Sequence, residues 1–365
     1  MKALGKGPVR KQPVRLAIIG AGGMANTHAR NFAAIPGCEI VAAVEPVAER
    51  RKTFCETHGI TGGFATVNEL LAGTAVDAVS IVTPDAFHAP LAIQCLRAGK
   101  HVLCEKPLAL NYRDARRMVV AAKQAGVVHL VNLSYRNWPC LQAVAKVVQA
   151  GGIGDVYHVE ASYLQSWLTN HVWGEWRKSP GWLWRLSTKH GSKGVLGDIG
   201  VHIVDFATFP VGPISRVYAQ LKAFPKAPGN RIGEYSLDAN DSATMCVEFA
   251  NGALGTIHTT RWSSGHVNRL YLKISGSRGA VEIDSERATD SYRICAGRDL
   301  AAARWREVKA AAVPTIYQRF IRAIRQGTVE RPDFSRGAEV QRVLDACFQS
   351  SATGRAVKIT TVAEA

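Results

Sequence analysis

The sequence predicts an α/β chain in two parts, a doubly wound parallel sheet followed by an α/β part built on a large, mostly antiparallel open sheet. Three observations predict it. Residues 14–132 alternate short apolar runs with helical patterns, the rhythm of parallel strands joined by right-handed crossovers that place helices on both faces. From about Tyr135 that rhythm gives way to a helix and then to apolar runs with few helices between them, the mark of an antiparallel meander. A chain of 365 residues also exceeds one ordinary core and fits two domains.

The first part reads as strands over 14–19, 40–44, 78–82, 101–104 and 128–132, with helices over 25–34, 47–58, 89–98 and 112–125. The second part begins with a helix over 140–149. Its strands are expected over 156–163, 214–221, 243–249, 254–261, 270–274 and 280–283, and Asn251-Gly252 joins two of them as a hairpin signal. Helices over 195–209, 316–325 and 336–351 are left to cover one face of that sheet. The expected division is a flexible basic tail at 1–13, a dinucleotide-binding domain at 14–135, and a substrate-binding and oligomerisation domain at 136–365.

Composition narrows the function classes. With 47% hydrophobic and 20% charged residues and no apolar run long enough to span a bilayer, a membrane protein is not expected. The formal charge of +16 is scattered, except for Lys2, Lys6, Arg10, Lys11 and Arg15 in a leader that lacks the apolar core of a signal peptide, so no nucleic-acid partner is expected either. The eight cysteines form no C-x-x-C pair and show no metal-ligand spacing with histidine. Free buried thiols, no metal and a cytoplasmic home follow as expectations.

Gly20-Ala21-Gly22-Gly23-Met24-Ala25 places G-x-G-x-x-A directly after an apolar strand and before a helix, which is the context that gives this motif weight. Gly20 permits the tight turn, Gly22 lets backbone approach a pyrophosphate, and the helix that follows offers N–H groups and a positive dipole end. Gly23 and Met24 complete the loop as candidate cofactor contacts. Glu45, twenty residues after Ala25 at the end of the second strand, is suited to accept hydrogen bonds from the adenosine ribose hydroxyls and to repel a 2'-phosphate. NAD(H) is therefore the expected cofactor of a Rossmann-type domain, and Arg50 and Arg51 nearby keep NADP(H) as the second choice.

Three further strings extend this reading: Thr83-Pro84-Asp85-Ala86-Phe87-His88 after the strand at 78–82, Glu105-Lys106-Pro107 after that at 101–104, and Gly197-Asp198-Ile199-Gly200-Val201-His202 with Asp205 in the second part. In this order and spacing the chain resembles the Gfo/Idh/MocA family of oxidoreductases, and the resemblance runs through to the closing segment Gly354-Arg355-Ala356-Val357-Lys358-Ile359. It implies a Rossmann domain, a C-terminal α/β domain whose open sheet often mediates oligomers, and substrates that are mostly sugars, inositols and their derivatives. It makes Thr83, Pro84 and His88 cofactor neighbours, brings Glu105 toward the nicotinamide ribose and lets Lys106 reach both cofactor and substrate.

Asp198 and His202 stand i, i+4 on an expected helix, so both project from one face. Alcohol oxidation requires a proton to leave the hydroxyl as hydride leaves the carbon, and imidazole titrates in a suitable range. His202 is the expected general acid/base, Lys106 the group that stabilises charge on the reacting oxygen, and Asp198 the holder of the substrate or the histidine. Two departures from the family pattern stand out: Asp85 where asparagine is common, and Ser192-Lys193 within a run that is usually glycine-rich, where Lys193 could meet an acidic substrate group.

Five of the eight tryptophans, at 167, 173, 176, 182 and 184, fall within 18 residues. Indole faces suit the C–H faces of a sugar ring; the resemblance adds Trp184 and Arg185 as substrate contacts, and Tyr163, on the strand that leads into the segment, is a further candidate. The segment suits a neighbouring subunit equally well, because aromatics and arginine also populate interfaces. The expected activity is an NAD(H)-dependent dehydrogenase of a sugar, inositol or related polyol, assembled as a homodimer or tetramer. Two alternatives share the fold: an NAD-recycling enzyme that cleaves glycosidic bonds, and a non-catalytic NAD-sensing regulator.

Overall fold

The computed structural model describes residues 12–360. The tail expected at 1–13 therefore lies almost wholly outside the described residues. The chain divides into two compact units, one of residues 12–134 with Pro314–Gln341, the other of Tyr135–Val313 with 342–360.

In the first unit the chain runs β1 (Val14–Ile19), α1 (Gly23–Ala33), β2 (Cys38–Val44), α2 (Ala48–His58), β3 (Gly62–Phe64), α3 (Val67–Gly73), β4 (Ala78–Ile81), α4 (His88–Arg97), β5 (His101–Cys104), α5 (Tyr112–Ala125) and β6 (His129–Val131). All six strands are parallel, in the order β3-β2-β1-β4-β5-β6. The order reverses direction between β1 and β4, the switch point where open parallel sheets bind ligands. Strands buried on both faces read as unbroken apolar runs, which is why Leu16, Ala17, Ile18 and Ile19 are all buried. The β3–α3 pair has no counterpart in the sequence reading. Gly62-Gly63-Phe64 is too short and too glycine-rich to show a strand pattern.

The second unit opens with α6 (Pro139–Gln149) and β7 (Val156–Gln165), passes through a long segment holding the short helix α7 (Pro180–Leu183) and three 3-10 turns, and enters α8 (Val201–Val211) from a π-helical turn over Leu196–Gly200. It continues through β8 (Ile214–Lys222), the small pair β9 (Arg231–Ile232) and β10 (Tyr235–Ser236), then β11 (Ser242–Phe249), β12 (Leu254–Thr260), β13 (Asn268–Gly276), β14 (Gly279–Asp284), β15 (Ser291–Ala296) and β16 (Arg306–Lys309). After α9 (Ile316–Gln326) and α10 (Phe334–Thr353), the chain ends on β17 (Val357–Lys358). Nine strands form one sheet, β16-β15-β14-β13-β7-β12-β11-β8-β17, in which only β7 and β12 pair in parallel. The large, mostly antiparallel sheet expected from the sequence is present. Strand β15 and the edge strands β16 and β17 escaped the sequence reading, since they are short and carry charges such as Arg293, Arg306 and Lys358.

Along β13 and β14 burial alternates strictly, with Leu270, Leu272, Ile274, Val281 and Ile283 inward. Helix α8 packs on the inner face against β7, β12 and β13, and α6 against β14 and β15.

Helix α9 departs from expectation. It does not cover the antiparallel sheet but belongs to the first unit, where Ile316, Tyr317, Phe320, Ile321 and Ile324 share one core with Val14, Leu16, Ile18, Ala29 and Phe32. Its apolar face is clear in the sequence, but a one-sided helix does not say which core it completes. The unit boundary falls within α10, after Gln341. Phe320→Ala removes a fully buried ring from the first unit's core and is expected to destabilise it by about 3–5 kcal/mol in urea-melt measurements.

Candidate functional site

In the first unit four loops follow adjacent strands at their carboxyl ends. Gly20 N donates to Val44 O, Val82 N to Ile19 O, Glu105 N to Ile81 O and Glu45 N to Phe64 O, so the loops after β1, β2, β4 and β5 leave the sheet side by side. Gly20 has φ +103, and a Cβ there would stand 2.7 Å from Val82 O, so both conformation and space require glycine. At Gly22 and Gly23 a Cβ would meet nothing within 4 Å, which leaves the approach to the helix open. Gly22 caps α1 without any side-chain hydrogen bond, so the first N–H groups of the helix face that open space uncapped by a side chain. Met24 stands half-exposed beside them.

Glu45 is buried. Its Oε2 accepts from Ala21 N at 3.2 Å, and its Oε1 accepts from Val47 N at 3.2 Å and from the Arg50 guanidinium at 2.9 Å. Arg51 donates to Glu45 O at 2.6 Å. The acid thus braces the glycine loop from below, with Arg50 held against it.

The loop after β4 brings up Thr83, whose Oγ1 is buried with no hydrogen-bond partner among the described residues, and exposed Pro84. A buried hydroxyl without a partner, an uncapped helix N-terminus and an open glycine loop, all at the switch point, fit a dinucleotide. His88 departs from expectation. It is completely buried, with Nδ1 2.8 Å from Pro107 O and Nε2 2.9 Å from Thr83 O, so it ties two loops together from behind and offers no ring atom to a ligand.

Glu105 is buried, and its oxygens are engaged within the unit. Oε1 lies 2.8 Å from His28 Nε2 and accepts from Asn132 Nδ2 at 2.5 Å, while Oε2 accepts from Lys106 N at 3.1 Å. Burial alone would raise this carboxyl. The hydrogen bond and charge of His28, the charge of Lys106 and the hydrogen bond of Asn132 overcome it and hold the pKa at about 2. Lys106 follows, half-buried, and Lys106-Pro107 is a cis peptide.

In the second unit Asp198 and His202 do not share one regular helix. Asp198 sits in the π turn and His202 in the first turn of α8, a local widening often found at functional sites. Each Asp198 oxygen meets a guanidinium: Oδ1 accepts from Arg185 and Oδ2 from Arg261, both at 3.0 Å. Arg261 is completely buried, its guanidinium lies 4.9 Å from the Trp167 ring centroid, and it also donates to Arg185 O. The His202 ring meets Tyr135 edge-on at 4.7 Å and lies 6.3 Å from Tyr163. The Tyr163 hydroxyl is hydrogen-bonded to Tyr135 and donates to Asn268 Oδ1 at 2.8 Å. Burial first, then Tyr135 and Asp198, push that phenol well above its ordinary range. Asp205, one turn beyond His202, is a buried bidentate partner of Arg136 at 2.8 and 2.7 Å.

The tryptophan segment divides. Trp167 and Trp176 are buried with Leu168, Leu183, Leu186 and Leu237 in a core of the segment's own, against which Trp173 and Trp182 pack. Trp184 is half-buried under the Arg185 guanidinium, 4.8 Å from its ring centroid. Ser192 donates to Arg185 O at 2.6 Å and accepts from Gly194 N at 2.9 Å, so it holds the turn. Lys193 is exposed and lies over the Phe348 ring. The residues that sequence reasoning missed are His28, Asn132, Tyr135, Arg261 and Asn268. Only His28, three residues beyond the Ala25 that closes the glycine motif, stood near a signal.

Among the described residues no helix is long and apolar enough to cross a membrane. The profile of an oxidoreductase family with an NAD-binding Rossmann fold matches residues 14–133, and that of the GFO/IDH/MocA C-terminal domain matches residues 141–282. Levoglucosan dehydrogenase of Pseudarthrobacter phenanthrenivorans is 28% identical over 93% of this chain and 97% of its own. A 1,5-anhydro-D-fructose reductase of Ensifer adhaerens is 35% identical over 73% of this chain and 74% of its own. The myo-inositol 2-dehydrogenase of Thermotoga maritima is 27% identical over 76% and 77%. Among solved structures, levoglucosan dehydrogenase in complex with NADH and levoglucosan superposes with a TM-score of 0.85 at 27% identity, covering 96% of this chain and all of that one.

Gly20→Ala meets both the positive φ and the Val82 carbonyl. NADH affinity, read by fluorescence titration, is expected to fall at least about tenfold, with a stability loss of about 1–3 kcal/mol.

Proposed function

The chain belongs to the Gfo/Idh/MocA family of oxidoreductases, and from that premise we propose that it is an NAD(H)-dependent dehydrogenase acting on a hydroxyl carbon of a sugar, inositol or related polyol. The observation that carries the reading is the open, uncapped glycine loop at the switch point, braced by Glu45 and flanked by the buried Thr83 hydroxyl. Relatives of similar length that act on levoglucosan and on inositol support the substrate class. When bound, the nicotinamide accepts or returns the hydride. In this reading Gly20, Gly22, Gly23, Met24, Thr83 and Pro84 hold the dinucleotide, and Glu45 orients the adenosine ribose with Arg50 beside it.

Lys106 donates a hydrogen bond to the reacting oxygen and favours its negative charge. His202 takes the hydroxyl proton on oxidation and returns it on reduction. Asp198, fixed between Arg185 and Arg261, accepts from a substrate hydroxyl. Trp184 offers an aromatic face to the ring, while Tyr163 acts through its hydrogen bonds to Tyr135 and Asn268. The eight unpaired cysteines support a reducing, cytoplasmic setting.

The test is a panel of sugars and inositols with NAD, followed by NADH absorbance. NADH is expected to accumulate on at least one polyol, with kcat/KM lowered about 10²-fold or more in Lys106→Ala and in His202→Ala. Release of an aglycone without NADH accumulation, or NADH binding with no turnover on any member, would overturn the reading.

The open face of the nine-stranded sheet supports a second proposal, that copies of this chain associate there. Glu160, Arg269, Tyr271, Glu282, Asp284 and Arg287 surround a shallow cavity of about 500 Å³ on it. Mixed charge on one flat face permits self-complementary packing about a twofold axis. Light scattering is expected to give a dimer or tetramer, and Glu160→Lys with Glu282→Lys is expected to shift it to monomer. An unchanged mass removes this face from the assembly.

A further inference from the structure

We propose that His28 is a positioning residue: from helix α1 it holds the Glu105 carboxylate in one orientation and thereby fixes the Glu105-Lys106-Pro107 turn. The importance of that turn rests on the polyol dehydrogenase reading above, but the hold of His28 on Glu105 does not.

The geometry is specific. His28 lies on the buried face of the same helix whose N-terminus follows the glycine loop. Its ring is completely buried, and both nitrogens are engaged, Nδ1 at 2.8 Å from Ser80 Oγ on β4 and Nε2 at 2.8 Å from Glu105 Oε1 just past β5. One imidazole therefore spans the cofactor helix and two adjacent strands at the switch point. With a proton on Nε2 the ring donates to Glu105 Oε1, while Nδ1 meets the serine hydroxyl, so both nitrogens are satisfied. The Tyr317 ring meets the imidazole edge-on at 5.0 Å and limits its rotation. No ring atom is left for a ligand, so His28 acts through Glu105.

The groups that face Glu105 are His28 from α1, Asn132 from the end of β6, Tyr317 from α9, and its chain neighbours Cys104 and Lys106. Of these only His28 and Asn132 donate side-chain hydrogen bonds to the carboxylate, both to Oε1. Without His28 the burial remains while its hydrogen bond is gone, so the carboxyl rises from about 2. Glu105 is then protonated as pH falls through a range in which the native protein keeps it charged.

The test compares the full-length protein with His28→Leu, which fills the space and donates nothing, and His28→Gln, whose amide keeps a donor toward Oε1. Glutamate carboxyl carbons are labelled with ¹³C, and Glu105→Gln identifies the resonance. Between about pH 8 and about pH 4 the Glu105 signal is expected to stay put in the native protein, to titrate in the leucine variant and to return most of the way in the glutamine variant. In the leucine variant kcat is expected to fall about tenfold, with the acid limb of kcat/KM moved to higher pH and NADH affinity within about twofold. A silent Glu105 signal in the leucine variant, with kcat within about twofold of the native protein, overturns the proposal.

Should the leucine variant not fold, the glutamine variant decides. Retention of a charged Glu105 and of kcat supports the proposal, and loss of both overturns it. If the native protein oxidises no polyol, the carboxyl titration still separates the two readings: a Glu105 that titrates only without the imidazole sustains the role of His28 while the dehydrogenase reading falls.

Discussion

A buried carboxylate constrains the first unit more than any other group. Taking Glu105 out of water costs several kcal/mol unless partners replace the lost hydration. The chain supplies them from elements far apart in sequence: the imidazole of His28 on α1, the amide of Asn132 after β6 and the backbone N–H of Lys106. Asn132 also donates to the Tyr317 hydroxyl on α9 at 3.3 Å. A helix 185 residues further along the chain is thereby tied to the strand end that carries Lys106. This accounts for the place of α9, whose Phe320 and Ile321 also close the α1 side of the core. Because the partners are mutual, the loop after β5 has one satisfied arrangement, and that rigidity is what the role proposed for Lys106 requires.

The second unit solves a similar problem with opposite signs. Arg261 is a completely buried cation, and Asp198 is its ion-pair partner, with Asp241 a further acid close enough to favour its charge. Arg185 takes the other oxygen of Asp198 from a half-exposed position. The carboxylate therefore has a fixed plane, and its two strong bonds point it away from the role of a mobile base. An acid held in this way suits binding and orientation, whereas the His202 ring is packed edge-on against Tyr135. The π turn at Leu196–Gly200 changes the angle between residues 198 and 202 from that of a regular helix, so the i, i+4 spacing alone does not give their relation.

Much of this was legible in the sequence. The parallel sheet declared itself because strands buried on both faces leave continuous apolar runs, and the glycine loop because positive φ and close approach exclude side chains at Gly20. Glu105, Lys106, Asp198 and His202 were legible as motifs. What stayed hidden was partnership. Whether a buried polar residue such as His88 touches a ligand or braces a loop depends on what lies opposite it, and in this fold the opposite groups are the carbonyls of Thr83 and Pro107. Arg261 gave no signal at all, since an arginine at a strand end is ordinarily solvent-exposed. Helix α9 showed its apolar stripe but not its core, and β15 to β17 were too short and too charged to read as strands.

The tryptophan segment shows why composition alone divided between a sugar platform and a subunit contact. Between Ser166 and Ser192 the described chain has no strand and only single helical turns, so it must build a core from side chains. Trp167 and Trp176 do this with four leucines, and their density in the sequence is first a requirement of folding. The Arg261 guanidinium lies over Trp167 and reaches both Asp198 and the Arg185 carbonyl. The aromatic core and the acid are thus one packed assembly, with Arg185 over Trp184 at its half-exposed margin. A substitution deep in that core, far from any ligand, would move Asp198 through Arg261, so the segment's packing residues belong to the same energetic unit as the site they support.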